Sequence, residues 1–392
     1  MKVGIYAGTI PSTSFIDRLI IGLSNQENIE LYIYGRKTES SFTYNKKVHL
    51  NGFSSNLNLI IKGLFYRTLF IFQPSLWKEF IGSQSSEIPS DLKKRLKFFG
   101  KKLPVVHHRL DVFHIQWAKD LHNWVFLEEL GTRVICSLRG AHINYSPLGD
   151  IELAKSYERT FPLCSGFHGV SKAIIQEASK YGDMTDKSRV VYSGLNLSDF
   201  NFNKKIRSLK KPLEIISIGR SHWVKGYMYS LDACSLLLQM GFEFKYTIVG
   251  GKSEEIEFQV NQLNLDNHVM LLNSIAFSEV VEKIKEADVL LLPSVEEGIA
   301  NVVLESMALG TPVISAKCGG MEEVISHKKN GFLVQTRSPV DLCKKIIEFK
   351  NTDEYIIEQI KINARKFVED NHSESQMVND MASLYKSVLS SV

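Results

Sequence analysis

The sequence predicts an α/β protein built from two Rossmann-like, doubly wound domains facing a cleft. Three observations carry this reading. Short β-branched runs alternate with longer amphipathic ones along the whole chain, several of those runs are almost purely apolar, and a polar, basic stretch near the middle separates two such series. A run such as Val289-Leu290-Leu291-Leu292 suits a strand covered on both faces, as in a parallel sheet wrapped by helices.

In the first half, strands are expected at 3–6, 30–34, 112–116, 133–137, 166–170 and 190–192. In the second half they are expected at 214–218, 245–249, 269–272, 289–292, 313–315 and 332–334. The boundary is expected within 198–212, where Asn201, Asn203, Lys204, Lys205, Arg207, Lys210 and Lys211 precede Pro212. The expected limits are therefore 1–200 for the first domain, 201–212 for a linker and 213–370 for the second domain. A C-terminal helix is expected over 371–392, where Met377, Met381, Leu384 and Val388 recur at helical spacing. Open parallel sheets bind ligands beyond the carboxyl ends of their strands. Two facing sheets would suit a two-substrate reaction that excludes water.

Composition narrows the function classes. The chain has 392 residues, 44% hydrophobic and 23% charged, which fits two ordinary globular domains. A net charge of +4 is too mild to indicate nucleic acid as a partner. Cys136, Cys164, Cys234, Cys318 and Cys343 are scattered and odd in number, with no Cys-x-x-Cys pair, so neither a disulfide framework nor a zinc site is expected. The start, Met1-Lys2-Val3-Gly4-Ile5-Tyr6, reads as a strand rather than a signal peptide, and no apolar run of about eighteen residues is present. A cytoplasmic protein is expected.

Two constellations carry chemistry. Gly219-Arg220 follows the strand expected at 214–218, and Lys225-Gly226 follows four residues later. Fixed cations at the carboxyl end of a strand suit a diphosphate, whose departing oxygen gains negative charge when a sugar–phosphate bond breaks. A strand-to-helix turn with solvated basic residues would show the same pattern. The second constellation is EGIANVVLESMALGTPVI, from Glu297 to Ile314. A loop holding Glu297 and Gly298 leads into a helix expected over 301–309, which Gly310 and Pro312 stop. Its start at Asn301 offers free backbone N–H groups to a phosphate. Glu297 lies before this helix and Glu305 is expected about two turns into it, which suits either two carboxylates meeting a polyhydroxylated ligand at different depths or two exposed glutamates on an amphipathic helix.

The spacing Glu297-x7-Glu305 within this string closely resembles the signature of the retaining GT-B glycosyltransferases of family 4. Gly-Arg-x4-Lys-Gly upstream resembles their second signature. A third resemblance is Gly319-Gly320-Met321-Glu322-Glu323-Val324-Ile325 followed by Asn330-Gly331-Phe332-Leu333-Val334. Together these cover most of residues 212–336, whereas the first half is similar only in general plan. The resemblance implies that Arg220 and Lys225 bind the donor diphosphate, Glu305 the nucleotide ribose and Glu297 the donor sugar. Gly219, Gly298, Asn301 and the backbone of Gly319, Gly320 and Met321 would line the same site. It further implies retention of anomeric configuration, no metal and no cofactor beyond the nucleotide-diphosphate sugar, which is a co-substrate. The acceptor would be a glycan or lipid-linked molecule in bacterial surface polysaccharide or lipopolysaccharide synthesis. It also implies that the last helix crosses back onto the first domain. A nucleotide-sugar 2-epimerase of the same fold and a non-catalytic sugar-nucleotide-binding subunit are the competing readings.

The first domain departs more from the family. Arg139, in Ser137-Leu138-Arg139-Gly140-Ala141-His142, stands near where relatives often carry a histidine, and His142 lies one helical turn on. Either suits a contact with donor sugar or phosphate, and His142 suits an ordinary loop histidine as well. Gly8-Thr9, read as the end of the first strand, is the remaining expected contact, without the family's Gly-Gly pair. Residues 60–110 hold ten Lys/Arg and three acids, interleaved with Phe65, Tyr66, Phe70, Phe72, Trp77, Phe80, Phe98 and Phe99. That mixture suits either an anionic membrane surface or a core helix with a solvated basic face. The first reading expects a protein peripheral on the inner face of the cell membrane.

Overall fold

The computed structural model describes residues 1–39, 42–44, 47–202 and 212–390. Contacts divide the chain into two compact units, Met1–Val191 with Glu374–Val392, and Tyr192–Ser373. Of the expected linker, residues 203–211 lie outside the described residues.

The first unit holds seven strands: β1 (Lys2–Ile10), β2 (Glu30–Lys37), β3 (Val48–Leu50), β4 (Val112–Ile115), β5 (Arg133–Leu138), β6 (Gly166–Gly169) and β7 (Ser188–Val190). They pair in parallel in the order β3-β2-β1-β4-β5-β6-β7. Side chains alternate across the sheet as the pleat requires. Val3, Ile5 and Ala7 enter a core shared with Leu31 and Ile33, while Tyr6 enters the other with Tyr32 and Tyr34. The helix Ser14–Ser24 and the final helix Glu374–Ser390 cover the first face, burying Ile16, Leu19, Met377, Met381, Tyr385 and Val388.

The strand expected at 3–6 is longer than its apolar run. β1 shifts register between Tyr6 and Gly8 and then continues beside β2, pairing Gly8 with Gly35 and Thr9 with Arg36. Gly8 and Thr9 therefore lie inside a strand and not at its end. β3 was not anticipated. It is a three-residue edge strand with an exposed His49, too short and mixed to show an alternation.

The second unit holds β8 (Leu213–Ile218), β9 (Phe244–Val249), β10 (Val269–Leu272), β11 (Val289–Leu292), β12 (Val313–Ala316) and β13 (Phe332–Val334), all parallel in the order β10-β9-β8-β11-β12-β13. All four residues of β11 are buried. The helix Asn301–Leu309 has the expected bounds and ends on Gly310 at φ +81°. Glu305 is its fifth residue, so it sits about one turn in, rather than two.

In each sheet the strand order reverses beside the unit's first strand, between β1 and β4 and between β8 and β11. A reversal sends the two following loops in opposite directions and opens a crevice beyond the strand ends. The five cysteines are free and buried. Among the described residues, no helix is long and apolar enough to cross a membrane.

Candidate active site

The reversal between β8 and β11 brings the two sequence constellations together. Gly219 and Arg220 follow β8, and Pro293 to Gly298 follow β11. Val295 N–H donates to the Val224 carbonyl over 2.7 Å, which zips the two loops. Gly226 permits the contact. It sits at φ +67°, and a Cβ there would stand 2.1 Å from the Pro293 carbonyl oxygen. Lys225 Nζ then lies 2.6 Å from Glu297 Oε1. Ser294 is fully buried, and its hydroxyl donates to the same oxygen over 2.9 Å. Tyr227 donates to the Gly219 carbonyl over 2.9 Å, so the turn after β8 is tied from within. Burial, with the Glu297 carboxylate nearby, pushes the Tyr227 phenol up and keeps it a donor.

The loop after β12 closes on the same carboxylate segment. Gly319 adopts φ +49°, and a Cβ there would stand 1.7 Å from the Glu297 carbonyl oxygen. Gly320 N–H donates to the Gly298 carbonyl over 2.9 Å. Met321 is fully buried behind them. The N-terminus of the helix Asn301–Leu309 carries no side-chain cap at Ala300. Glu305 is buried, at 8% exposure. Arg220 is exposed. The His222 imidazole is held below its usual range by burial and by Arg220 and Lys225.

The first-unit candidates also gather at a reversal. Gly8 packs against Trp117, whose indole N–H donates to the Ala7 carbonyl over 3.2 Å. The Trp117 ring lies 5.3 Å from the His142 ring and 6.3 Å from Phe15. Phe15 in turn lies 4.6 Å beneath the Arg139 guanidinium. Thr9 is exposed. Arg139 is 9% exposed, and burial lowers its pKa to about 9, still charged at neutral pH. The guanidinium has a neutral partner here: Nη2 donates to Gln116 Oε1 over 3.0 Å. Arg139 Nε and His142 Nδ1 are buried without a partner. Burial and Lys119 lower the His142 pKa to about 4.

A buried polar chain holds Gln116, and its protons follow from one fixed end. The Val191 carbonyl can only accept, so His168 Nε2 carries hydrogen, at 3.0 Å. His168 Nδ1 then accepts from Ser137, which accepts from His114 Nε2, both over 2.8 Å. His114 Nδ1 accepts from Tyr385 at 2.8 Å and from Gln116 Nε2 at 3.2 Å. That leaves Gln116 Oε1 turned to Arg139.

Residues 199–367 match the family model described as Glycosyl transferases group 1. The match lies inside the second unit. The chain is 29% identical over 279 residues to the amylovoran biosynthesis glycosyltransferase AmsK of Erwinia amylovora, covering 67% of this chain and 66% of the relative. It is 29% identical over 217 residues to the putative colanic acid biosynthesis glycosyltransferase WcaL of Escherichia coli, covering 53% of each. The chain thus spans about half to two thirds of the length of these curated relatives. Among solved structures it superposes on HepE of Anabaena in complex with UDP-glucose, with a TM-score of 0.70, 17% identity, and coverage of 99% of this chain and 100% of that one. The structural likeness establishes the GT-B fold. The family match and the relatives' descriptions support a glycosyltransferase of this superfamily.

Ser294, Tyr227, Gln116, Phe15 and Trp117 complete these clusters and were not picked out from sequence. Ser294 alone had a local signal, because it lies three residues before Glu297 at the end of an apolar strand.

Proposed function

We propose that the chain transfers a hexose-type sugar, with retention of configuration and without a metal, from a nucleotide-diphosphate sugar to a glycan or lipid-linked acceptor. The carrying observation is the meeting of Lys225, Glu297 and Ser294 at the β8–β11 reversal. In this reading, Lys225, Arg220 and the start of the helix at Asn301 hold the leaving diphosphate, whose charge grows as the bond breaks. Glu297 turns toward the sugar hydroxyls, with Gly319 beside them, and Glu305 accepts from the ribose. Arg139 and His142 contribute from the first unit. UDP-glucose bound to HepE supports a uridine donor, and the descriptions of AmsK and WcaL, in amylovoran and colanic acid biosynthesis, support a polysaccharide as the product class.

A thermal-shift screen of UDP- and GDP-sugars tests donor binding, since a ligand of the native state raises its melting temperature. One donor should raise it in the wild type and not in Lys225→Ala. Turnover of that donor should require an added acceptor. Conversion of the nucleotide sugar alone into its 2-epimer would overturn transfer.

A further inference from the structure

Residues 56–110 carry an exposed apolar surface that includes none of the residues named at the two strand reversals. The helices Asn56–Leu69 and Leu92–His107 cross antiparallel and very closely. A Cβ on Gly63 would stand 2.0 Å from the Leu96 carbonyl oxygen, and one on Gly100 would stand 2.0 Å from that of Leu59. This crossing turns Leu59 and Gly63 inward. On the other side, Leu57, Ile61, Leu64 and Phe65 are 65, 55, 52 and 56% exposed. Their spacing places them on one stripe about 100° wide along the helix. Ile71 and Phe72 extend it beyond the helix end, at 65 and 84% exposure. A single exposed leucine is ordinary, but a helix-long apolar stripe marks an interaction surface.

Charge identifies the partner. The aromatic and basic residues of this stretch separate into two groups. Phe70, Phe80 and Phe99 are buried, Lys102 is buried against Gln84, and Lys62 donates to the Gly52 carbonyl over 2.7 Å. Lys78, Lys93 and Lys94 remain exposed, and the last two adjoin Leu92, itself 61% exposed. Across 60–110, cations outnumber acids ten to three. An exposed apolar stripe, with exposed lysines on the helix packed against its own, suits the interface of an anionic bilayer, where apolar side chains enter the acyl boundary and ammonium groups meet headgroup phosphates.

We propose that the stripe from Leu57 to Phe72, with Lys93 and Lys94, docks the first unit onto an anionic lipid surface, with the helix Asn56–Leu69 lying in the plane of the membrane. The inference rests on this face alone and is independent of the transfer reading.

Co-sedimentation of the full chain tests it, with vesicles of phosphatidylcholine alone and of phosphatidylcholine with phosphatidylglycerol, at low and high salt. The wild type should pellet with the anionic vesicles and be partly released by salt. The variant Ile61→Ser/Phe65→Ser/Phe72→Ser changes only exposed positions and should melt as the wild type does. Its partitioning should fall by roughly tenfold or more, because three apolar side chains that would enter the bilayer are lost. Phe258→Ser, 68% exposed on the second unit, should partition as the wild type does. Wild-type protein that stays in the supernatant with anionic vesicles at low salt would overturn the proposal. So would undiminished pelleting of the triple variant, or light scattering that shows a dimer dependent on the stripe in place of vesicle binding.

Discussion

The ammonium of Lys225 and the carboxylate of Glu297 meet at 2.6 Å, with the Ser294 hydroxyl on the same carboxylate oxygen. A cation expected to grip phosphate and an acid expected to grip sugar thus neutralise each other across the β8–β11 reversal. In the proposed reading, an incoming diphosphate would compete with Glu297 for Lys225 and in doing so free the carboxylate for the sugar. Glu297→Gln should therefore bind UDP at least as tightly as the wild type while its turnover falls. Lys225→Ala should lose both, with turnover down by roughly 10²-fold or more, the scale of losing a charge-stabilising group. Calorimetry with UDP and initial rates check both outcomes.

Gly319 backs the same carboxylate segment. Alanine would place its Cβ 1.7 Å from the Glu297 carbonyl in a backbone region that suits glycine. Gly319→Ala should displace the 296–298 loop, lower the melting temperature and abolish the donor-induced shift. A variant with native melting and donor response would show that this contact relaxes without consequence.

Arg139 predicts a separation of stability from function. Its guanidinium is buried on Phe15 beside the neutral Gln116, so the fold holds a charge whose desolvation Gln116 only partly offsets. Arg139→Met keeps the stacking volume and removes that cost, though it leaves Gln116 Oε1 without its donor. The expected outcome is a melting temperature at or above the wild-type value together with a loss of transfer. A large fall in melting temperature would assign Arg139 to the core instead.

Acid should unfold the first unit early. Burial holds His168 at about 3 and His114 well below its usual value, against 6.5 for an unperturbed imidazole. Between these limits the unfolded chain binds protons that the native chain refuses. Stability is complete above pH 6.5 and is lost as pH falls toward 4, at about 1.4 kcal/mol per pH unit for each such histidine. Urea midpoints across pH 7.5 to 4 measure the slope. His168→Gln, which can still bond Ser137 and the Val191 carbonyl, should flatten it.

The parts of the fold that were legible in the sequence are those with local signals. Val289–Leu292 is apolar at every position because both faces are covered, and the helix Asn301–Leu309 stops where Gly310 and Pro312 force it to. β1 was read short because Gly8 interrupts its apolar run, whereas β2 carries the strand on through a register shift. In the candidate sites, the charged residues could be named from their motifs, but their partners could not. Tyr385 reaches His114 from 271 positions away, and Gln116 meets Arg139 only because β4 and β5 are neighbours. The exposed stripe from Leu57 was hidden for a related reason. Which face of an apolar helix turns outward is decided by Gly63 and Gly100, whose role appears only once the two helices cross.

The chain leaves the first unit at Val191 and re-enters it at Glu374. The second unit is therefore a continuous segment that a ribosome releases whole, whereas the first must wait for its final helix. Until Met381 and Tyr385 emerge, one face of the first sheet is only partly covered, by the helix Ser14–Ser24, and His114 lacks its phenolic donor. During synthesis the C-terminal sheet is thus able to mature before the N-terminal one, reversing the usual vectorial order. A nascent chain stalled just before Glu374 would present residues 1–191 as less completely folded than residues 192–373.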